Sequence, residues 1–140
     1  MKGVNLNLKK TSKETYMGLI AVVGFISFAL LSVFFFATSW HIGSAVKAHC
    51  ALARAEYEGD CVDSLIRLLD DEKQSYASRN TAIWALGQLG DERAKPVLEK
   101  YYTGDIPEKE PWDETLSQYE LQKALALVND GTNLTSWVWR

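Results

Sequence analysis

The residues best suited to chemistry are two histidines, two cysteines and several acidic side chains. His41 and His49 lie eight residues apart, outside any H-E-x-x-H metal motif or nucleophile elbow. Two imidazoles are too few ligands to hold a metal ion or haem unless a partner protein supplies more. We therefore predict no catalytic residue, metal site or cofactor, and no enzymatic activity. A cofactor-handling or enzymatic subunit that uses His41 and His49 near a membrane surface is the alternative.

Acidic residues cluster at positions 70–72 and 105–114. Neither cluster has the alternating spacing of oxygen ligands that is typical of a calcium loop. The nine glycines are scattered along the chain, so that no glycine-rich phosphate-binding loop is present in the sequence. We predict that both acidic clusters are solvated turns.

Cys50 and Cys61 are the two cysteines of the chain, and a turn at Glu58, Gly59 and Asp60 separates them. A cysteine pair that brackets a turn favours a disulfide in an oxidising compartment. Two buried free thiols are the alternative, because cysteine packs well in helical cores. We predict a Cys50–Cys61 disulfide, on condition that this part of the chain lies outside the cytoplasm.

Residues 17–37 form an uninterrupted apolar run of 21 residues. As a helix this run would measure about 31 Å, which matches the hydrocarbon core of a bilayer. Tyr16 and Trp40 flank the run and are predicted to lie at the two membrane–water interfaces, in contact with lipid. The run is longer than the apolar part of a cleaved signal peptide, so we predict a signal anchor that spans the membrane over residues 17–40. It contains no GxxxG seam, and a homodimer through this helix is not expected.

Charge is distributed unequally along the chain. Residues 1–16 contain four lysines and one glutamate, a net charge of +3, whereas residues 41–140 contain 11 basic and 17 acidic side chains, a net charge of -6. The positive-inside rule predicts a single-pass inner (plasma) membrane protein with a cytoplasmic N-terminus and a periplasmic or extracytoplasmic C-terminal domain. An acidic domain argues against a nucleic-acid partner, since binding phosphates requires a concentrated basic surface.

The remaining sequence has helical periodicity and no sustained period-two alternation, so no strands are predicted. The membrane helix is predicted to continue as a stalk that ends at Gly59, with one face formed by small or apolar residues. That face consists of Ala45, Ala48, Leu52 and Ala55. Further helices are predicted over residues 61–70, 75–89, 92–103 and 114–129, with Asp60 and Asp91 as N-caps.

Two internal correspondences indicate a repeat: residues 61–69 align with 94–102, and residues 85–91 align with 124–130. A helix–turn–helix unit that occurs twice is typical of a solenoid. Residues 79–98, with ALGQLGD at 85–91, resemble HEAT-like repeats of the bacterial, phycobilin-lyase-associated type. The resemblance covers residues 62–104, is weak over 115–130, and does not include 1–57. It implies helical repeats that act as a protein–protein scaffold and carry no catalytic residues.

The predicted fold is therefore all-α, with one N-terminal transmembrane helix followed by a short two-repeat HEAT-like α-solenoid domain. Five segments are expected: a basic cytoplasmic N-terminus (1–16), the transmembrane helix (17–40), the extracytoplasmic stalk helix (41–59), the helical repeats (60–130) and an aromatic tail (131–140).

Three tryptophans lie outside the predicted repeat helices. Trp112 is in the acidic, proline-containing loop, and Trp137 and Trp139 are in the tail. Large exposed aromatics commonly anchor interfaces, so we predict that all three contact a partner protein, with packing onto their own domain as the alternative. The predicted function is a non-catalytic accessory or assembly subunit of a larger integral membrane protein complex. A free-standing membrane-anchored adaptor is a further alternative.

Overall fold

The computed structural model describes the backbone of residues 5–129 and 131–139, and within these ranges the side chains from residue 13 onward. Over these ranges it is all-helical, as the periodicity predicted. Its elements are α1 (Asn5–Glu56), α2 (Cys61–Asp70), α3 (Tyr76–Leu89), a 3-10 turn (Glu92–Ala94), α4 (Lys95–Tyr101), α5 (Gln118–Val128) and α6 (Ser136–Trp139). The chain divides into two compact units, Met1–Thr38 and Ser39–Arg140. Of the lysines on which the orientation prediction depends, Lys2 and the side chains of Lys9 and Lys10 lie outside the described residues.

The first unit consists of the N-terminal part of α1. An 18-residue window of the stretch Lys13–Glu56 reaches a mean hydropathy of 2.7, and none of that window is buried in protein. Two hydroxyl groups of this region hydrogen-bond within the helix: Ser32 Oγ donates to Phe28 O at 2.8 Å, and Thr38 Oγ1 donates to Phe34 O at 2.9 Å. A helix in lipid must satisfy its polar groups internally in this way. By length and composition, the helix is a candidate membrane span or signal anchor.

The second unit begins with the last turns of α1, which pack by a different face from the predicted one. Val46 and Ala53 are fully buried and Cys50 is half-buried between them. Ala48, Leu52 and Ala55 of the predicted face are exposed, Leu52 to 67%. Cys50 explains the difference, because its bond to Cys61 sets the rotation of α1, and turning Leu52 inward would carry Cys50 away from α2.

Helices α2 and α3 begin and end where local capping chemistry predicted. The Asp60 carboxylate accepts from Asp63 N at 2.9 Å at the start of α2, and Ser75 Oγ accepts from Ser78 N at 3.2 Å at the start of α3. Gly90, with a φ of 56°, ends α3 in the left-handed conformation that favours glycine.

The core is formed by α2 packing on α3, α3 on α5, and α4 on α5. Gly87 allows α3 to approach α5 closely, because a Cβ there would lie 2.7 Å from Ala124 Cα. The buried apolar side chains of the core are Ala53, Val62, Leu65, Leu69, Ala82, Ile83, Ala85, Leu86, Ala94, Val97, Leu98, Leu121, Ala124, Leu125 and Val128.

Several helices differ in extent from the prediction, beginning with α1, which ends at Glu56, three residues before Gly59. The helix predicted over 92–103 begins as a 3-10 turn at Glu92 and ends at Tyr101. The helix predicted from residue 114 begins at Gln118, because contacts from elsewhere in the fold hold residues 112–117 out of the helix. The tail, for which no helix was predicted, contains α6, whose Trp139 packs against Gly43 of α1.

Candidate functional site

A disulfide joins Cys50 of α1 to Cys61, the first residue of α2. The two Cα atoms are 5.0 Å apart, within the range that a disulfide can bridge. The bond therefore links the end of α1 to the start of the repeats across the turn that contains Gly59, whose φ is 127°.

A groove of about 390 Å³ runs between α1, α2 and α3 of the second unit. We call it the repeat groove. Leu52, the most exposed of its apolar side chains, lies opposite Leu68 of α2 and Thr81 of α3. Leucine is usually buried, and its exposure inside a concave surface indicates a place where another molecule can pack.

A second hollow of about 260 Å³ continues from the repeat groove, since His49 and Thr81 line both. The imidazole of His49 lies edge-to-face with the Trp84 indole, with ring centroids 6.0 Å apart. Trp112, 41% exposed, completes the wall of this hollow. The structure thus brings two of the predicted site residues, His49 and Trp112, to one surface. Trp84 was not singled out in the sequence because it lies within an ordinary repeat helix.

A polar network closes one end of the repeat groove. Tyr57 Oη donates to Asp71 Oδ2 at 2.7 Å and accepts from Gln74 Nε2 at 3.0 Å, and Gln74 also donates to Glu56. Burial, followed by the hydrogen bond to Asp71, raises the pKa of Tyr57. The backbone N–H of Lys73, followed by the Tyr57 hydroxyl, lowers the pKa of Asp71. The network fixes the end of α1 against the turn between α2 and α3.

Asn80, fully buried in α3, holds the loop that carries Trp112. Its Nδ2 donates to Trp112 O at 2.9 Å and to Thr115 O at 2.8 Å, while its Oδ1 accepts from Ser117 N at 2.8 Å. One side chain therefore satisfies three backbone groups of the loop, which makes the position of Trp112 depend on Asn80.

Both acidic clusters were predicted to be solvated turns. In the structure, acidic side chains of each cluster also bind structural partners. Glu110 is half-buried and caps α5, where its carboxylate accepts from Gln118 N at 2.7 Å and from the Ser117 hydroxyl. Asp70 accepts from Lys100 Nζ at 2.7 Å and from Tyr101 Oη at 2.8 Å. Glu110 thus holds its loop to the start of α5, and Asp70 joins α2 to α4.

Arg93 links the N-terminal ends of the two repeat units. Its guanidinium donates to Asp60 Oδ2 at 2.8 Å and to Asp91 Oδ2 at 2.9 Å, so that it bridges the N-cap of α2 and the N-cap of the 3-10 turn. The hydrogen bonds that Arg93 donates to Asp91 and then to Asp60 raise the pKa of Arg93. The pKa of Asp60 is lowered, first by the backbone N–H of Asp63 and then by Arg93.

The tail returns from α5 to α1. Asn133 Nδ2 donates to Gln88 O at 3.1 Å, near the end of α3, and α6 then places Trp139 against Gly43. Trp139 is half-buried there and lines a groove of about 240 Å³ with Trp40 and Lys47. Trp137 remains 84% exposed. Of the two tail tryptophans, one packs on its own domain and the other faces outward.

The two histidines do not form a chelating pair. Eight residues of helix separate His41 from His49 by about 12 Å along the axis, twice the rise of the i, i+4 spacing that places two histidines on one metal ion. His41 is exposed and His49 contacts Trp84. In the part of the chain that the structure describes, histidine, cysteine and carboxylate side chains form no group of three that could hold a metal ion.

Comparison with protein families matches residues 44–109 to HEAT repeats. Comparison with curated proteins and with solved structures gives no match. The family match begins within α1 and ends before α5. The resemblance therefore starts earlier in the chain than residue 62, where it was expected to begin. The chain therefore contains a HEAT-like repeat region, which extends from the end of α1 through α4.

Proposed function

We propose that the protein is a non-catalytic accessory or assembly subunit, anchored in a membrane by residues 17–37 and bound to a larger integral membrane protein through the repeat groove. The observation that carries the proposal is that the repeat groove and the hollow beside Trp112 adjoin each other, sharing His49 and Thr81 and exposing apolar side chains on both sides of them. It lies within the HEAT-like region, and stacked helical repeats commonly bind partners along such concave surfaces. The ALGQLGD segment supports repeats of the phycobilin-lyase-associated type.

In this proposal the N-terminus is cytoplasmic and the second unit lies outside the cytoplasm, in the periplasm if the cell has one. The lysines before the apolar run support this orientation through the positive-inside rule. The Cys50–Cys61 disulfide supports it too, because disulfides persist in oxidising compartments. A reporter that is active only outside the cytoplasm, fused after Arg140, is expected to be active. Activity of a cytoplasm-only reporter at the same position would contradict the orientation.

The chemistry of the groove fits one apolar helix of the partner. Leu52, Leu68 and Ala77 present an apolar floor, while Gln74 and His49 supply hydrogen-bonding groups at its edge. An amphipathic helix places apolar side chains at i, i+3 and i+4 into a groove of this kind. Trp112 then covers the helix from the side of the loop that Asn80 holds.

Affinity purification of the tagged full chain in mild detergent tests the proposal. Leu52→Asp and Trp112→Ala are each expected to reduce the co-purified membrane partner by about tenfold, which corresponds to the loss of one well-packed anchor. Tyr119→Asp, an exposed change on α5, is the matched control and is expected to retain the partner. Circular dichroism establishes that each variant is folded. Retention of the partner by both groove variants, or equal loss in Tyr119→Asp, would contradict binding through the groove.

A further inference from the structure

The packing of Trp139 on Gly43 gathers several exposed apolar side chains at one end of the second unit. Trp40, which is 73% exposed, lines the groove with Trp139, and Leu134 and Trp137 project from the adjoining tail. We call Trp40, Leu134, Trp137 and Trp139 the tail patch. None of these side chains lines the repeat groove, so the proposed binding surface does not account for their exposure.

The tail patch lies where the second unit begins. Gly43 is four residues beyond Ser39, the first residue of this unit, which is about 6 Å of helix. The apolar run ends at Ala37, two residues before Ser39. The headgroup layer on each side of a hydrocarbon core is about 5–8 Å thick. Trp139 is therefore attached to α1 six residues along the chain beyond the end of the apolar run, or about 9 Å of helix, close to where a headgroup layer would end if residues 17–37 span the membrane.

Charge also distinguishes this end from the remainder of the unit. Lys47 is the only charged residue between positions 38 and 49, and Arg140 is the only one between 131 and 140. Residues 48–139 contain nine basic and 17 acidic side chains, a net charge of -8. Aromatic side chains beside Lys47, in segments of the sequence that contain no acidic residue, suit lipid phosphates, whereas the net negative charge of the remainder is repelled by them.

We propose that the tail patch inserts into the headgroup layer of the membrane that α1 spans, so that the C-terminal segment makes a second, interfacial contact with lipid. The inference rests on the proposed membrane anchoring. An indole is amphipathic and favours the membrane–water interface, which gives Trp137 an environment that water does not provide. Of the three tryptophans predicted to contact a partner protein, Trp137 is thereby assigned to lipid and Trp112 to the hollow beside the repeat groove, while Trp139 packs on Gly43 within the tail patch.

The test uses the full chain in phosphatidylcholine vesicles with and without bromine on the acyl chains, because bromine quenches only tryptophans that contact lipid. The unmodified chain is compared with three variants, Trp137→Phe, Trp40→Phe and Trp112→Phe. The emission lost in each variant gives the contribution of the tryptophan that was replaced. Brominated lipid is expected to reduce the contributions of Trp137 and Trp40 at least about twofold and to leave that of Trp112 unchanged. Trp112 is the matched control, since it is partly exposed but lies in the hollow beside the groove.

The outcomes separate the inference from the proposal on which it rests. Quenching of Trp40 and Trp137 together supports both. Quenching of Trp40 without Trp137 overturns the inference and leaves membrane anchoring in place, with the tail patch free for a protein. Absence of quenching at Trp40 overturns membrane anchoring and the inference with it. Equal quenching of Trp112 would show that lipid contact is not specific to the tail patch, and would also overturn the inference.

Discussion

Trp139 packs directly against the backbone of α1 at Gly43. A Cβ placed on Gly43 would lie 2.5 Å from both Cβ and Cγ of Trp139, a distance that real side-chain contacts do not reach. The last helix of the chain therefore closes on the first turns of the second unit, at a position where only glycine leaves room for the indole. This contact joins the two ends of the unit and determines which tail side chains remain outside.

Replacement of Gly43 by leucine is expected to displace Trp139. In an exposed helix the change would stabilise the protein by close to 1 kcal/mol, because leucine is the better helix former. Here the overlap with Trp139 is expected to make the change destabilising, lowering the free energy of unfolding by about 1–3 kcal/mol. A red shift of tryptophan emission and faster proteolysis of residues 131–139 would report the displacement. Ala48→Leu, at an exposed position of the same helix, is the control and is expected to leave both measurements unchanged.

The Cys50–Cys61 bond is expected to contribute strongly to thermal stability. Closing a loop of this length stabilises a domain by about 2–3 kcal/mol in the chain-entropy account. The double variant Cys50→Ala/Cys61→Ala is therefore expected to melt about 10–20 °C below the unmodified protein. Non-reducing mass spectrometry of peptides should contain the cross-linked pair. Quantitative alkylation of both thiols without reductant would contradict the bond, and addition of reductant should have no effect on the double variant.

The parts of the fold that were predictable from sequence are those specified by neighbouring residues. Asp60 and Ser75 hydrogen-bond to backbone groups three residues away, so the starts of α2 and α3 depend on local chemistry. Gly90 ends α3 for an equally local reason, its positive φ. Gly87 was recognisable as a point of close approach because its small size is part of the repeat motif.

The parts that were not predictable depend on contacts between residues far apart in the chain. The start of α5 depends on Asn80, 37 residues before Ser117, and periodicity alone extended that helix too far back. The packed face of α1 is a different case: the Cys50–Cys61 bond that sets it was itself predicted, yet the periodicity of small residues indicated a different face. The hollow at Trp112 likewise depends on three elements meeting, and no single segment indicates it.

Asn80→Asp is expected to release the loop that carries Trp112. The substituted side chain has nearly the same shape, but its second oxygen would face the carbonyl oxygens of Trp112 and Thr115 in place of a donor. Loss of these two bonds and repulsion between the oxygens should cost about 2–4 kcal/mol. Hydrogen exchange should accelerate over residues 110–118 more than over α2. Thr81→Val is the control, since the Thr81 hydroxyl bonds only within its own helix, to Ala77 O. An unchanged loop in Asn80→Asp would contradict the role of Asn80.

Asp60 is expected to give the protein a stability component that disappears in acid. Its pKa in the folded protein is lowered, so its contribution is fully present above the ordinary pKa of aspartate, about 3.9. The contribution is lost as pH falls through the lower pKa of the folded state. Because the side chain is 54% exposed, solvent screening limits its size to under about 1 kcal/mol.

Asp60→Asn tests this, because asparagine retains an N-cap oxygen but not the charge that Arg93 binds. The variant should melt a few degrees below the unmodified protein at pH 7, and the difference should shrink below the ordinary pKa and vanish below the lower pKa of the folded state. Asp105→Asn removes the same charge from an exposed loop and should change the melting temperature little at either pH. A difference that persists unchanged in acid would mean that Asp60 acts through its shape and not through its charge.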